Sequence, residues 1–305
     1  MSRKLKYTFN HIENCNMCNS ETKNHRILGK RLNKSQGKSP SKKTGITTTV
    51  VKCNNCGINY SNPQPVPYNI QDHYGIPPEN YWKDEYFKID PNYFKNEINV
   101  LKKLAPIKKG MKSLDVGAGL GKQMIALNAV GFDAYGFEPS IPFYERAISQ
   151  MKINPEKLQL KMMEEIEYPE NHFDFISFGV VLEHLYDPSE SIKKAMKWLK
   201  PGGLIHIEVP SSNWLIGKII NLYYKLKLSD YVGNLSPMHE PFHLHEFSLK
   251  SFEIHANNNN YKIAHHDYYI CQTYMPKIID VLVKPYMKRT NTGMQICVWL
   301  KKNSN

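Results

Sequence analysis

Apolar and polar positions follow two different repeats from residue 110 to the end of the chain. Short apolar runs of strand length alternate with segments in which apolar residues recur every three or four positions, as on the buried face of a helix. The runs predict strands at 112–116, 133–137, 158–162, 173–178, 203–209, 261–270 and 294–300. The helical segments are predicted at 120–130, 141–150, 188–199 and 248–258. Strands that alternate with helices favour an α/β fold, a seven-stranded, mostly parallel sheet with helices on both faces.

The part of the chain before residue 110 is organised differently. Prolines interrupt it at 62–67 and again at 77–78, and a helix is predicted only at 92–104. Aromatic residues are dense between 68 and 94, where they would either cap a pocket or join two parts of the chain. We therefore divide the chain into an N-terminal module at 1–62, an aromatic-rich linker with a capping helix at 63–109, and the α/β domain at 110–305, with insertions at about 211–247 and 271–293.

Composition and charge set broad limits on function. With 305 residues, 41% of them hydrophobic, the chain is long enough to bury the core of a large α/β domain. Its net charge of +12 suits an anionic partner, whether nucleic acid, a phosphorylated metabolite or a lipid surface, and it suits a lysine-rich solvated surface equally well. The chain has no apolar run long enough to span a membrane, and its polar start Met1–Lys4 is not a signal peptide. We expect a cytoplasmic protein.

Four of the six cysteines form two pairs with a two-residue gap, Cys15 with Cys18 and Cys53 with Cys56. This gap lets both thiolates of a pair point at one metal, and two pairs provide the four-sulfur shell of a structural zinc site. Disulfide bonds are the weaker interpretation, since no secretion signal is present. The pairs predict a zinc-ribbon module whose Zn²⁺, closed by four thiolates, has no open position for catalysis. The basic stretch 29–49 between the pairs is predicted to be a mobile loop, either solvated or in contact with a phosphate.

Three glycines at two-residue spacing, Gly117, Gly119 and Gly121, follow the first predicted strand of the α/β domain and precede its first helix. Glycines at such a turn let the backbone approach a ligand, and the helix N-terminus offers unpaired N–H groups to an anion. Asp115 lies near the end of the strand before the turn, and Glu138 follows the next strand. Because ligands of such sheets bind at the carboxyl ends of the strands, Glu138 is placed to accept hydrogen bonds from two ribose hydroxyls. The pattern indicates a nucleotide-type cofactor site.

These residues resemble the class I S-adenosylmethionine (SAM)-dependent methyltransferases, and the similarity continues beyond the turn. Residues 172–178 resemble the fourth strand of that family, 180–185 the segment after it, and 200–203 the turn before the fifth strand. The resemblance covers about residues 110–210 and implies a Rossmann-like domain that binds SAM and transfers its sulfonium methyl group to an acceptor. It further implies that the cofactor is bound by Asp115, Gly117, Gly119, Gly121, Glu138, Phe178 and Met163, the last by packing on adenine.

Methylation of a hydroxyl needs a base, and histidine is the natural candidate because its ordinary pKa is about 6.5. His184 follows the predicted fourth strand, whereas His239 and His243 lie in the segment 237–248. That segment resembles the Pro-x-His-Leu-x-x-Phe-Ser motif of bacterial methyltransferases, many of them with an N-terminal zinc module, that are linked to sugar and cell-surface glycan modification. His243 matches the histidine of this motif. Glu246 stands at the second of the two adjacent x positions, where the related proteins have a second histidine. We predict His243 and His184 as catalytic candidates, the alternative being that each only orients its loop or helix start.

The predicted function is SAM-dependent O-methylation of a sugar, a sugar-containing metabolite or a glycan precursor, ahead of methylation at carbon. One alternative is an RNA methyltransferase that uses the basic zinc module, although the Asp/Asn-Pro-Pro-Tyr pattern of many base-methylating enzymes is absent after the fourth strand. The other alternative is a non-catalytic scaffold that binds SAM. The insertions at 213–236 and 274–289 combine apolar residues with lysines, which suits a lid, a homodimer contact or peripheral contact with a membrane.

Overall fold

The computed structural model describes residues 7–31, 46–74, 82–235, 242–271, 273 and 275–303. The strands are β1 (Tyr7–Asn10), β2 (Arg26–Arg31), β3 (Thr49–Lys52), β4 (Asn59–Ser61), β5 (Gln64–Pro67), β6 (Lys112–Val116), β7 (Asp133–Phe137), β8 (Leu158–Gln159), β9 (Phe173–Gly179), β10 (Leu199–Pro210), β11 (Tyr231–Val232), β12 (His245–Glu246), β13 (Tyr261–Tyr269) and β14 (Gln295–Lys302). The helices are α1 (Ile70–Tyr74), α2 (Asp84–Phe87), α3 (Lys95–Leu104), α4 (Lys122–Ala129), α5 (Ile141–Ser149), α6 (Pro188–Trp198), α7 (Leu215–Leu226), α8 (Leu249–Asn258) and α9 (Lys277–Thr290).

Seven strands form the central sheet, in the order β13-β14-β10-β9-β6-β7-β8. The strands β6 to β10 run parallel to their neighbours in this group, and β14 is antiparallel to both β10 and β13. This arrangement confirms the predicted α/β fold. The edge strand β8 is shorter than the predicted 158–162, because its partner β7 runs towards Pro139, which lacks the N–H that a longer ladder needs. Helix α3 begins later than the predicted 92–104, because Phe94 is left-handed, with φ +60°.

The central sheet is buried on both faces, because alternate side chains of a strand point to opposite sides. On β9, Ile176 and Phe178 pack into one core cluster with Ile192 of α6 and Phe252 of α8. Phe175 of the same strand packs into the other cluster, which contains residues of α3, α4 and α5. Helices therefore cover both faces, and the carboxyl ends of the parallel strands stay available for a ligand.

Five strands form a second sheet, in the order β11-β2-β3-β4-β12. Strands β2, β3 and β4 come from the N-terminal module, whereas β11 and β12 come from the insertion predicted at about 211–247. At the end of β12, Glu246 accepts hydrogen bonds from Asn59 Nδ2 at 2.8 Å and from Asn234 Nδ2 at 2.6 Å. Main-chain pairing and a buried carboxylate therefore join the module to the α/β domain. Residues 32–45 of the loop predicted between β2 and β3 lie outside the described residues.

The two insertions contain the helices α7 and α9, whose apolar residues are largely exposed. Leu226 on α7 is 75% exposed and Leu282 on α9 is 76% exposed, and lysines lie among such residues on both helices. Among the helices in the described part of the chain, none combines the length and the hydrophobicity that crossing a membrane requires.

Candidate active site

The glycine turn after β6 adopts a left-handed backbone at all three glycines, with φ of +66° at Gly117, +53° at Gly119 and +75° at Gly121. A Cβ atom added to Gly117 would lie 2.7 Å from Val181 Cγ2, and one added to Gly121 would lie 2.6 Å from Ile153 Cγ1. A Cβ added to Gly119 would meet no atom of the described residues within 4 Å. The outer glycines are needed for packing, whereas the middle one leaves the backbone open to a ligand.

Two buried carboxyl groups lie beside this turn. Glu138, directly after β7, accepts hydrogen bonds from the N–H of Gly119 at 2.8 Å and from that of Ser140 at 2.9 Å. Burial raises the pKa of Glu138 to about 7, although both bonds act to lower it. Asp115 accepts a hydrogen bond from Gln123 Nε2 at 2.8 Å, and burial, with the charge of Glu138, raises its pKa well above the usual range. These residues fit SAM, since Gly119 leaves room and a carboxylate has further acceptor positions for ribose hydroxyls.

The two remaining cofactor candidates have different surroundings. Met163 lines a cleft together with Pro139, Glu164 and His184. The cleft thus includes the residue that follows Glu138 in the chain. Phe178, at the carboxyl end of β9, packs into the core cluster, and its side chain is fully buried. The structure therefore brings Met163, rather than the ring of Phe178, to the cleft.

The segment after β9 turns sharply. Val180 has φ +58°, a conformation that a β-branched residue rarely adopts. Its N–H donates to Glu208 O at 2.9 Å, and the next residue, Val181, lies against Gly117. Strained backbone of this kind clusters at functional sites. Here it directs the chain from the carboxyl end of β9 into the short 3-10 turn Leu182–His184.

Glu183, His184 and His243 form a cluster next to the cleft. His184 Nδ1 donates to Phe242 O at 3.0 Å, and the ring centroids of His184 and His243 are 4.7 Å apart, edge to face. His243 Nε2 lies 3.9 Å from Glu183 Oε1. The Glu183 side chain is fully buried, burial raises its pKa to about 8, and neither of its oxygens accepts a hydrogen bond from the described residues. The fold thus brings together two histidines that are far apart in the sequence.

Glu183 has no role in the prediction from sequence. The signal that could have identified it is a carboxyl group in the segment Val180–Leu185, whose other residues apart from His184 are apolar, since a buried carboxyl group must be compensated. The third histidine considered, His239, belongs to residues 236–241, which lie outside the described part of the chain.

Contacts with the N-terminal module hold the segment that contains His243. Leu244 N–H donates to Glu183 O at 2.7 Å, and Ser61 N–H, on β4, donates to Leu244 O at 2.9 Å. Arg31 Nη1, on β2, donates to His243 O at 3.4 Å. The position of His243 therefore depends on the second sheet as much as on the α/β domain.

The four paired cysteines meet in the N-terminal module. Cys15 Sγ is 3.6 Å from Cys56 Sγ, Cys18 Sγ is 3.5 Å from Cys53 Sγ, and all four sulfurs lie within 4.8 Å of one another. These distances exceed an S–S bond and approach the ~3.8 Å edge of a tetrahedron with Zn–S bonds of about 2.3 Å. The cysteines therefore fit a zinc ion. Ser248, the N-cap of α8, donates from Oγ to Cys56 O and so links this cluster to the α/β domain.

Comparison with known proteins defines the family. The methyltransferase domain family matches residues 92–266, more than half of the chain, and the chain belongs to this family. The fold, the glycine turn and this match together make it a class I SAM-dependent methyltransferase.

Curated relatives share part of this domain. The demethylmenaquinone methyltransferase of Bacillus mycoides is 32% identical over 125 residues, which are 38% of this chain and 51% of that protein. The ubiquinone biosynthesis O-methyltransferase of Bradyrhizobium diazoefficiens is 30% identical over 111 residues, which are 34% of this chain and 42% of that protein. The chain therefore spans about half the length of the curated relatives it matches.

A solved structure shows the same fold. The phosphoethanolamine N-methyltransferase 2 of Haemonchus contortus, in complex with phosphomonomethylethanolamine and S-adenosylhomocysteine, has a TM-score of 0.51 and 16% identity to this chain. The match covers 80% of this chain and 62% of that protein. At this identity the likeness shows the fold alone.

Proposed function

We propose that this methyltransferase transfers the methyl group of SAM to a hydroxyl oxygen of a sugar, a sugar-containing metabolite or a glycan precursor. The observation that carries this proposal is the pair of imidazoles, His184 and His243, beside the cleft that Met163 lines. When bound, SAM supplies an activated sulfonium methyl group, so the protein has to position the acceptor, exclude water and remove a proton from a hydroxyl. An imidazole is suited to that last task.

The proposed roles follow from the position of each residue. The open backbone at Gly119 and the carboxylate of Glu138 bind the cofactor, with Asp115 as a buried support and Met163 in contact with adenine. His184 donates from Nδ1 to a backbone carbonyl, which makes Nε2 the unprotonated nitrogen of the neutral ring. His243 is the first candidate for the base, and His184 is the second. Either one accepts the hydroxyl proton as the oxygen attacks the methyl carbon and the C–S electron pair returns to sulfur.

We propose Zn²⁺ as a structural ion in the site formed by Cys15, Cys18, Cys53 and Cys56. Its four thiolates leave no open coordination position for the acceptor. In this proposal the zinc module acts through β4 and β12, by holding the segment that contains His243.

A phenolic or quinone-type acceptor is the second candidate. Its support is the names of the two curated relatives, a demethylmenaquinone methyltransferase and a ubiquinone biosynthesis O-methyltransferase. The exposed apolar residues of α7 and α9 would suit an acceptor that partitions into lipid. The first of these names leaves the methylated atom open, so carbon remains an acceptor atom to test beside oxygen.

The test is methyl transfer from labelled SAM to three pools prepared from the source cell: sugars and glycans, extracted lipids, and total RNA. We expect label in the sugar fraction, and we expect at least 100-fold less of it with His243→Gln. His245→Gln is the matched control, because His245 lies two residues further along and contacts Gln64 instead of His184. Label in the lipid fraction alone would support the second candidate, and label in RNA alone would overturn both.

A further inference from the structure

The carboxyl group of Glu183 is a buried ionisable group that the described residues do not compensate. Its side chain is fully buried, and neither oxygen accepts a hydrogen bond from the described residues. Among the described residues, His243 Nε2 lies 3.9 Å from Glu183 Oε1, too far for a hydrogen bond. A buried carboxyl group without such a partner is costly, and a bound cation is one of the ways to compensate it.

We infer that Glu183, His184 and His243 together bind a first-row divalent metal cation at the acceptor side of the cleft. One ligand atom from each of these residues lies within 4.8 Å of the other two. Two imidazoles and one carboxylate are an established ligand set for catalytic Zn²⁺ and for Fe²⁺. The inference rests on the proposed function, since it changes how the acceptor hydroxyl loses its proton.

The hydrogen bond of His184 supports this assignment independently of the Glu183 oxygens. His184 Nδ1 donates to Phe242 O at 3.0 Å. Histidines that bind a metal through one ring nitrogen usually donate the other ring N–H to a carbonyl or carboxylate, which fixes the tautomer and the ring orientation. The contact with Phe242 therefore identifies Nε2, and not Nδ1, as the ring nitrogen of His184 that would bind the ion.

The position of the cluster allows both binding and access. Ligand atoms around a tetrahedral ion with bonds of about 2.0 Å are ~3.3 Å apart, so the three side chains would move closer by about an ångström when the ion binds. His184 lines the cleft beside Met163 and Tyr186, which leaves a path from the cleft to the ion. Three protein ligands leave at least one coordination position for an oxygen of the acceptor.

The cation would replace direct proton transfer to an imidazole. A hydroxyl that coordinates the cation has a lowered pKa and releases its proton to solvent. Its oxygen then forms the bond to the methyl carbon, and the C–S electron pair returns to sulfur. In this arrangement His184 and His243 serve as ligands, whereas in the metal-free site one of them serves as the base.

The experiment counts bound zinc by equilibrium dialysis of the full chain against micromolar Zn²⁺, with elemental analysis of the protein. We expect Glu183→Gln and His243→Gln each to bind one zinc fewer per chain than the wild type, with affinity at the lost site reduced more than about 100-fold. His245→Gln, the matched control, is expected to retain the wild-type number. Cys56→Ser is expected to lose a different zinc, so that Cys56→Ser combined with His243→Gln loses two.

Equal zinc binding by the wild type, Glu183→Gln and His243→Gln would overturn the metal site. If Glu183→Gln does not fold, as judged by circular dichroism, the comparison of His243→Gln with His245→Gln gives the answer. Methyl transfer to sugar by a protein without this second zinc would refute the cation and leave the proposed function in place, with His243 as the base. A protein that binds the second zinc and methylates no sugar would support the cation and refute the sugar acceptor.

Discussion

Replacement of Gly119 by alanine tests whether the turn after β6 is a cofactor site or only a tight turn. The residue has φ +53°, and in the described part of the chain no atom lies within 4 Å of an added Cβ. Folding should therefore lose only the cost of a left-handed alanine, about 1–2 kcal/mol. The new methyl group points into the space that we assign to SAM, so we expect the affinity for S-adenosylhomocysteine to fall at least tenfold, or about 1.4 kcal/mol.

Two other glycines provide the controls. Gly110 also has a positive φ, +85°, and open space around an added Cβ, but it precedes β6 at the opposite edge of the sheet. Gly110→Ala should match Gly119→Ala in stability and bind the cofactor like the wild type. Gly121→Ala would put its Cβ 2.6 Å from Ile153 Cγ1, which adds about 1–3 kcal/mol of overpacking to the backbone strain.

The assays are calorimetric titration with S-adenosylhomocysteine and unfolding by denaturant, carried out on all three variants. A Gly119→Ala protein that binds the cofactor as tightly as Gly110→Ala would refute the reasoning, since the open side of the turn would then not face the ligand. A Gly119→Ala protein that is less stable than Gly121→Ala would show that the space beside Gly119 is filled by protein.

Three further predictions concern buried groups and the cysteine cluster. The pKa of Glu138 is about 7 in the fold and 4.5 when unperturbed, so this group should cost the free protein about 3 kcal/mol of stability as the pH rises from 4.5 to 7. In denaturant titrations Glu138→Gln should reduce the loss of stability over this range by that amount. Cys56→Ser should lose one zinc by elemental analysis and, through β4 and β12, most methyl transfer. Glu246→Ala leaves the donors Asn59 Nδ2, Asn234 Nδ2 and Leu235 N–H without their acceptor, so the free energy of unfolding should fall by about 3 kcal/mol. Glu253→Ala, on the exposed surface of α8, is the neutral control.

The region that we assign to the acceptor combines the N-terminal module with the insertion that precedes α8. Strand β12 adds to the sheet of the N-terminal module, and the loop before β12 contains His243. Glu246, which stands where the related motif has a histidine, is buried and accepts hydrogen bonds from Asn59, Asn234 and Leu235. In this chain residue 246 therefore joins the N-terminal module to the α/β domain by accepting three hydrogen bonds. A neutral histidine could not replace it, because it has one acceptor nitrogen.

Local spacing in the sequence was enough to predict the central sheet, the glycine turn and the two cysteine pairs. Each of these depends on residues close together in the chain: apolar repeats, glycines between a strand and a helix, and thiols separated by two residues. The predicted limits of β8 and α3 were less accurate, because they depend on Pro139, two residues after the neighbouring strand β7, and on the left-handed Phe94.

The sequence by itself determined the class of fold, the cofactor turn and the identity of the histidine candidates. Only the tertiary structure brought His184 to within 4.7 Å of His243, between ring centroids, and placed the buried Glu183 beside them. That arrangement depends on the register of β12 on β4 and on the turn after Val180. Contacts of this kind join segments far apart in the chain, so the local repeat of polar and apolar residues does not predict them.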